Sequence, residues 1–311
     1  MARADPQTML ASALLRRSLE ALASRVSRTR KSTGADQVHD LRVSIRRFAQ
    51  TLQVFKPCFS AKEVKRVQRA LKKVMDLAGN VRDLDIAGDL LRRSKSPEAV
   101  ELRSIFVRKR KDVSQALADK LLRWNTRRTC SKWRTQLKPA DSGGGSVGTV
   151  KQRADHILPV LAKRLSASLH RSTGGKGDRL EQLHQLRIAA KKMRYTLELF
   201  ITLNPTVIRE WLGQLKRLQS ALGSINDLEI VHDMVMKERA SKRLCAELMK
   251  KRDRRVADFE SHRRAEFAVL GSAAQWTKNL ARLVRNPNLR RKPAARSESI
   301  PKSESESPAA S

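Results

Sequence analysis

VHDLRVSIRRFAQTLQVF fills residues 38–55 and LHQLRIAAKKMRYTLELF residues 183–200. Both spell H-x-x-R-x-x-x-[RK]-[RK] and end on phenylalanine. His39 therefore matches His184, Arg42 matches Arg187, Arg46 matches Lys191 and Phe55 matches Phe200, all 145 residues apart. The agreement extends well beyond these stretches. LAGNVRDLDI (77–86) aligns with ALGSINDLEI (221–230) at an offset of 144, which pairs Gly79 with Gly223 and Asp83 with Asp227. WRTQL from Trp133 aligns with WTKNL from Trp276 at 143, and the STG at 32–34 with the STG at 172–174. Offsets that drift by only a few residues across half a chain mark a duplicated unit rather than a recurring short motif.

The spacing inside each stretch is helical. With Leu41 at zero on a wheel of about 100° per residue, Ile45, Phe48, Leu52 and Phe55 fall within about 40° of it, a stripe suited to a core. His39, Arg42 and Arg46 fall at about 160°, 100° and 140°, on the opposite side. Leu186, Ala190, Met193, Leu197 and Phe200 repeat the apolar stripe, and His184, Arg187 and Lys191 the basic one, joined by Arg194 at about 80°. Arg47 and Lys192 lie off the stripe at about 240°, bordering an adjoining surface. The following helix behaves alike: Val64, Val67, Leu71, Val74 and Ala78 face inward with Lys65, Arg69 and Lys72 outward. Ile208, Trp211, Leu215, Leu218 and Leu222 correspond, with Arg209 and Lys216 outward.

Alternating strand patterns are almost absent, so the expected fold is all-α: two pseudo-symmetric helical-bundle halves from an internal duplication, each of about five or six helices. KPADSGGGSVG (138–148) reads as a flexible linker near the midpoint. It sets a first half at 7–137, a linker at 138–149 and a second half at 150–285, followed by a Ser-, Pro-, Glu- and Ala-rich tail, 286–311, expected to be disordered. Asp83 and Asp227 follow glycines that resemble helix ends, so they are expected to cap the next run.

The chain carries 66 Lys and Arg against 31 Asp and Glu, a formal charge of +35. The tail holds five basic and three acidic residues, so +33 rests on the part that folds. Such a charge repels itself and calls for an anionic partner: nucleic acid, an anionic membrane surface or a phosphate polymer. Cys58, Cys130 and Cys245 are widely spaced with no C-x-x-C, as in a reducing compartment. No apolar run approaches the roughly 20 residues that span a bilayer, and MARADPQTML lacks the pattern of a signal peptide. A soluble, cytoplasmic protein is expected.

Neither basic stripe interleaves Glu or Asp, so its cations are expected to lack local partners. If the paired helices are antiparallel neighbours, their stripes border one groove. Arginine offers a planar fork that suits phosphate oxygens, lysine a compact charge, and imidazole one or two N–H donors. A polyanion alongside stabilises imidazolium, so binding should tighten as pH falls through the neutral range.

The doubled H-x-x-R-x-x-x-[RK]-[RK] helix, each copy followed by a basic helix and then by AGNVRDLDI or LGSINDLEI, resembles the CHAD domain, the conserved histidine α-helical domain. The resemblance runs from about Thr8 to about Val284. It implies two four-helix-bundle halves around a basic central groove that binds inorganic polyphosphate, and association with polyphosphate granules. It also implies a set of ligand residues: His39, Arg42, Arg46, Arg47, Lys72 and Lys73 in the first half, and His184, Arg187, Lys191, Lys192, Lys216 and Arg217 in the second. Some relatives fuse this domain to a triphosphate tunnel metalloenzyme domain, but this sequence has no Glu-rich E-x-E-x-K segment.

Two other readings compete. His39-Asp40 and His232-Asp233 are HD dipeptides of the kind found in metal-dependent phosphohydrolases, yet the repeat partner of Asp40 is Gln185 and the shared face is cationic. Without a P-loop, H-E-x-x-H, G-x-S-x-G or clustered Cys and His, no catalytic residue, metal ligand or cofactor is assigned. Charge alone binds DNA through counterion release, so a nucleoid-associated protein without sequence preference is the main alternative, and weak DNA binding is expected in either case. Aromatic residues make up only 4% of the chain, which leaves few platforms for stacking bases.

Overall fold

The computed structural model describes residues 6–94, 96–137, 150–172, 178–238 and 242–271; the linker (138–149), Trp276 and the tail (286–311) lie outside them. All regular structure among the described residues is helical. Five helices come first: α1 (Pro6–Lys31), α2 (Ala35–Val54), α3 (Ala61–Arg92), α4 (Pro97–Thr126) and α5 (Thr129–Gln136). Four more follow: α6 (Val150–Arg171), α7 (Arg179–Leu199), α8 (Pro205–Lys237) and α9 (Lys242–Gly271).

Local chemistry sets several of the boundaries. Asp178 caps α7 by accepting from the amides of Leu180 and Glu181, and Asn204 caps α8 by accepting from that of Val207, with Pro205 opening the helix. Pro97 likewise opens α4. Arg128, at φ 49°, takes the left-handed conformation that turns α4 into α5. The carbonyl of Val54 in the last turn of α2 accepts from Nε of Arg153 on α6, at 2.6 Å.

Helices α1 to α4 pack in a ring, each on the next, with α1 closing on α4; α6 to α9 do the same, with α6 closing on α9. The rings meet where α2 lies against α7 and α3 against α8. Every apolar residue assigned to the inner faces of the two repeated helix pairs is buried, from Leu41 to Ala78 and from Leu186 to Leu222. They belong to one continuous core that draws on both rings; a smaller cluster fills the far end of α3, α4, α8 and α9 around Phe106 and Val231.

One expectation fails here. Gly79 and Gly223 do not end helices: α3 runs for 32 residues and α8 for 33, straight through both glycines, so Asp83 and Asp227 lie in helix interiors and cap nothing. A helix tolerates one glycine at about 1 kcal/mol, which the buried residues on both sides outweigh.

Candidate functional site

The contact between α2 and α7 is fixed by polar groups. Gln50 donates from Nε2 to Oγ1 of Thr196 at 2.8 Å, and Arg47 donates from Nε to Glu198 at 2.8 Å. Thr51 and Thr196, matched positions, each donate back to the carbonyl four residues earlier, Arg47 and Lys192, at 2.9 and 2.8 Å. This register draws Arg42 and Arg46 of α2 toward Arg187 and Lys191 of α7, over the Asp83 turn of α3 and the Asp227 turn of α8.

Their electrostatics record the crowding. Burial, followed by the charges of Arg187, Arg46 and Arg42, pushes the Lys191 ammonium down to about 7. Burial and then Arg46, with smaller contributions from Arg82 and Arg187, pushes Arg42 down to about 10 against the pull of Asp83. Arg187 is lowered by burial too, with Asp227 opposing. His39 stays accessible on the first turns of α2, yet partial burial and then Arg82 hold its imidazole below the ordinary value. Asp83 and Asp227 are raised, chiefly by burial, although Arg42 pulls the first down and Arg187 the second. Among the described residues, none of Arg42, Arg46, Arg187 and Lys191 forms an ion pair with a carboxylate. Four guanidinium groups, counting Arg82, and one lysine thus act on one another and on two carboxylates with which, among the described residues, they form no ion pair.

Not every cation expected in the site joins this cluster. The absence of carboxylates does not hold for Arg47 and Arg194: both reach Glu198, Arg194 at 3.6 Å, and Arg194 also covers the ring of Tyr195 at 4.6 Å with only 18% of its side chain exposed. Glu198 serves Arg47 from the neighbouring helix, a relation that repeat spacing within one helix does not reveal. His184 and Lys192 are exposed on α7, the latter beside α6. Lys72 and Lys73 on α3, and Lys216 and Arg217 on α8, are exposed two turns before the glycines. Lys72 and Lys216 share a helix face with Gly79 and Gly223, since seven residues return to within about 20°. Of the HD dipeptides, Asp40 pairs with Arg25 at 2.7 Å and His232 lies 3.4 Å from Asp233. No group of three His, Cys, Asp or Glu among the described residues could hold a metal ion.

The sequence model of the CHAD domain matches residues 13–236. This chain belongs to the CHAD domain family. The structure of the CHAD domain from the plant Ricinus communis is similar to it with a TM-score of 0.67 at 22% identity, over 86% of this chain and 92% of that one. PptA from Streptomyces chartreusis is similar with a TM-score of 0.54 at 13% identity, over 86% of this chain and 99% of that one. At these identities the likeness is one of fold. None of the curated proteins is detectably similar in sequence. No helix among the described residues is long and apolar enough to cross a membrane.

Three members of the cluster in this CHAD domain escape a repeat-based reading. Arg82 acts on His39, Arg42, Asp83 and Asp227, but its matched position is Asn226, so a filter that demands cations in both copies discards it. Asn226 instead accepts from Nη1 of Arg187 at 2.8 Å and orients it. Gly79 makes room: a Cβ there would stand 2.9 Å from Nη1 of Arg42, whereas at Gly223 it would meet nothing within 4 Å.

Proposed function

We propose that this protein binds inorganic polyphosphate in a basic groove where α2 and α7 meet over α3 and α8, and that it does so without catalysis, as a component of cytoplasmic polyphosphate granules. The observation that carries this reading is the convergence of Arg42, Arg46, Arg187 and Lys191, half-buried, mutually repelling and free of carboxylate ion pairs. Cations held out of water against one another favour an anion more strongly than the same cations spread over a surface, because weak screening amplifies both the repulsion and its relief. Family membership supports the choice of anion, since CHAD domains are polyphosphate-binding modules.

In this reading Arg42 and Arg187 each present a guanidinium fork to phosphate oxygens, Arg46 and Lys191 flank them, and His39 stands at the accessible edge. Lys72 and Lys216 extend the track along α3 and α8, with Lys73, Arg217 and Lys192 as outlying charges and His184 as an outlying hydrogen-bonding group. Arg47 and Arg194 act through Glu198, setting the α2–α7 register. Asp83 and Asp227, raised chiefly by burial, attract the guanidinium groups of Arg42 and Arg187.

The halves at 7–137 and 150–285 are best explained as an internal duplication. Several matched details support it. Helix α2 ends on Phe55 at φ −100°, ψ 16° and α7 on Phe200 at −102°, 14°. Arg110 of α4 pairs with Asp85 of α3, and Arg252 of α9 pairs with Glu229 of α8.

The test is competition at near-physiological salt: long-chain polyphosphate is expected to displace duplex DNA at far lower phosphate concentration than the reverse. If DNA wins, the protein is nucleoid-associated and the polyphosphate reading fails. A tagged copy is expected on granules in cells that make polyphosphate and dispersed in cells that do not.

A further inference from the structure

A second basic cleft lies outside that cluster, between the C-terminal end of α1 and the outer face of α4, with a volume of about 630 Å3. None of the cations that converge between α2 and α7 lines it. Arg110 of α4 organises it, donating from Nε to Asp85 at 2.6 Å, from Nη1 to Ser114 at 3.2 Å and from Nη2 to the carbonyl of Thr33 at 2.7 Å. The last of these bonds ties the chain just after α1 to α4. Arg30 and Lys31 thereby line the same cleft as Lys111, the residue after Arg110. None of the three has a carboxylate partner among the described residues, and Nε of Arg30 is shielded from water with nothing to donate to. Asp119, the one carboxylate lining the cleft, accepts from Gln115 at 2.9 Å and stands eight residues along α4 from Lys111, about 12 Å.

The other half of the chain shows a closed version of this cluster. The offset of 140 that aligns the two STG stretches matches Arg30 with His170 and Lys31 with Arg171. The pairing of Arg110 with Arg252 sets Lys111 against Asp253. Arg252 is held by two carboxylates, Glu229 at 2.7 Å and Asp253 at 2.9 Å. His170 turns Nδ1 to the carbonyl of Ser166 at 2.8 Å, and Arg171 donates to Ser168 at 3.1 Å. In the first half the place of Asp253 is taken by Lys111, a difference of two charges at one position, and the place of His170 by Arg30. The nearby helix starts differ in the same sense. Asp178 caps α7, whereas Gly34, which follows Thr33 at the head of α2, supplies no side-chain cap. Asp36, in the first turn of α2, does not line the cleft. One half neutralises itself with its own carboxylates; the other leaves their place to an anion from outside.

A lone carboxylate suffices beside Arg252, but three unneutralised cations call for several negative charges in one compact group with many acceptor oxygens. We propose that this cleft binds a condensed phosphate of a few residues, its oxygens on Arg30, Lys31 and Lys111, either as a free oligophosphate or as a segment of a longer chain. The choice of phosphate among anions rests on the polyphosphate reading of the α2–α7 site; the existence of a second anion site does not. With both sites filled, one molecule holds polymer at two places, the property that links chains within a granule.

The experiment is calorimetric titration of the full chain with sodium tripolyphosphate in the absence of added metal. Wild type is compared with K31E/K111D, which gives the cleft the carboxylate found at Asp253, and with R42E/R187E, which disables the α2–α7 site. A fourth protein, K250E/R254D, makes the same change of charge on an exposed face of α9. Wild type and K250E/R254D are expected to take up two equivalents, and each of the other two variants one. If wild type binds one equivalent and K31E/K111D binds it unchanged, the cleft is overturned and the α2–α7 reading stands. Loss of one equivalent in K31E/K111D with none lost in R42E/R187E supports the cleft and removes the α2–α7 reading. Equal losses in K31E/K111D and K250E/R254D would mean a diffuse effect of charge and overturn the assignment. Circular dichroism checks the fold. K111D alone, an exposed change that the matched helix already carries, is expected to weaken the site at least tenfold, which keeps the test decisive should the double variant not fold. Long-chain polyphosphate then separates the two sources: a chain that runs through the cleft shows a shallower salt dependence in K31E/K111D, whereas a site for free oligophosphate leaves that slope unchanged.

Discussion

Helices α2 and α3 and helices α7 and α8 carry the same motif, yet they do not carry the same charge. Arg46 is matched by Lys191, Arg82 by Asn226 and Asp40 by Gln185. Arg42 is seated over Gly79, while Arg187 is tied to Asn226. The α2–α3 side thus holds guanidinium groups that keep their charge at any ordinary pH, and the α7–α8 side holds one tethered guanidinium and a lysine that burial and its neighbours bring down to about 7. Convergence explains the division. Two like charges roughly 6 Å apart at an effective dielectric near 20 cost about 3 kcal/mol. Two identical rows facing each other would pay that several times over, and a lysine able to shed its proton relieves it in the empty site. Two copies of one motif, once they face each other, are under pressure to differ.

The largest effect should come from destroying what the two sides share. The double variant R42E/R187E is expected to lower polyphosphate affinity at least 100-fold, since each charge-assisted hydrogen bond contributes about 1.5–3 kcal/mol and 1.4 kcal/mol is tenfold. Fluorescence anisotropy with a labelled chain measures the loss, and circular dichroism should give an unchanged helical spectrum. Loss of helicity would mean that Arg42 and Arg187 hold the fold rather than the ligand.

The titrating lysine gives the next largest effect, and its sign can be worked out. In the free protein Lys191 sheds its proton near pH 7; a polyanion alongside restores it, so above about pH 7 binding takes up a proton and affinity must fall as pH rises. The slope approaches tenfold per pH unit at most, for one proton. His39, also held below its ordinary value, contributes in the same direction from its lowered free-state pKa upward, so the comparison with K191R is what isolates the lysine. Calorimetry between pH 7 and 9 should give a clear decline in wild type and a flatter profile in K191R. Stability of the free protein moves the other way. A lysine whose folded pKa is depressed destabilises the fold most where it is protonated in both states, so this group adds stability as pH climbs from 7 toward 10.

How far the sequence revealed this arrangement depended on whether a signal was local. The inner faces were legible because helical periodicity and burial are the same fact: each of Leu41, Ile45, Phe48, Leu52 and Phe55 is buried, as is each of its counterparts from Leu186 to Phe200. Arg42, Arg46, Arg187 and Lys191 were legible because they lie on the opposite stripe of those helices. Glu198 as partner of Arg47 was not, because the two are 151 residues apart and meet only once α2 docks on α7. Arg82 was hidden by the repeat itself, which rewards sameness and passes over a residue that one copy lacks. Asp83 and Asp227 were misread since a glycine before an acidic residue resembles a helix junction, and nothing local distinguishes that from a helix running through.

Arg82 offers a smaller perturbation that makes the two sides alike. R82N copies the α8 arrangement into α3 and removes a permanent charge near the site without touching either basic stripe. Polyphosphate affinity is expected to fall about three- to tenfold, in the range of one weakened charge contact. Because the Arg82 charge helps to hold His39 low, the imidazole pKa should rise toward its ordinary value, which an NMR titration reads directly. A lower affinity with His39 unmoved would indicate a distortion of α3 rather than a lost charge.

The two glycines give the smallest effect and the sharpest contrast. Each lies inside a long helix, where alanine is intrinsically better by about 0.5–1 kcal/mol. At Gly223 a methyl group meets open space, so G223A should raise the melting temperature and leave binding alone. At Gly79 the methyl would stand 2.9 Å from Nη1 of Arg42, closer than packed atoms allow. The guanidinium end is flexible and would yield by a few tenths of an ångström, so G79A should still fold, with part of the helix gain lost. What it cannot keep is the seat of Arg42. A fork displaced from its phosphate oxygens forfeits bidentate geometry before it forfeits charge, so G79A is expected to weaken polyphosphate two- to fivefold with little change in salt dependence. Equal behaviour of G79A and G223A would mean that Arg42 is not seated on α3, and the asymmetry between the two helix pairs would then reduce to Lys191 and Arg82 alone.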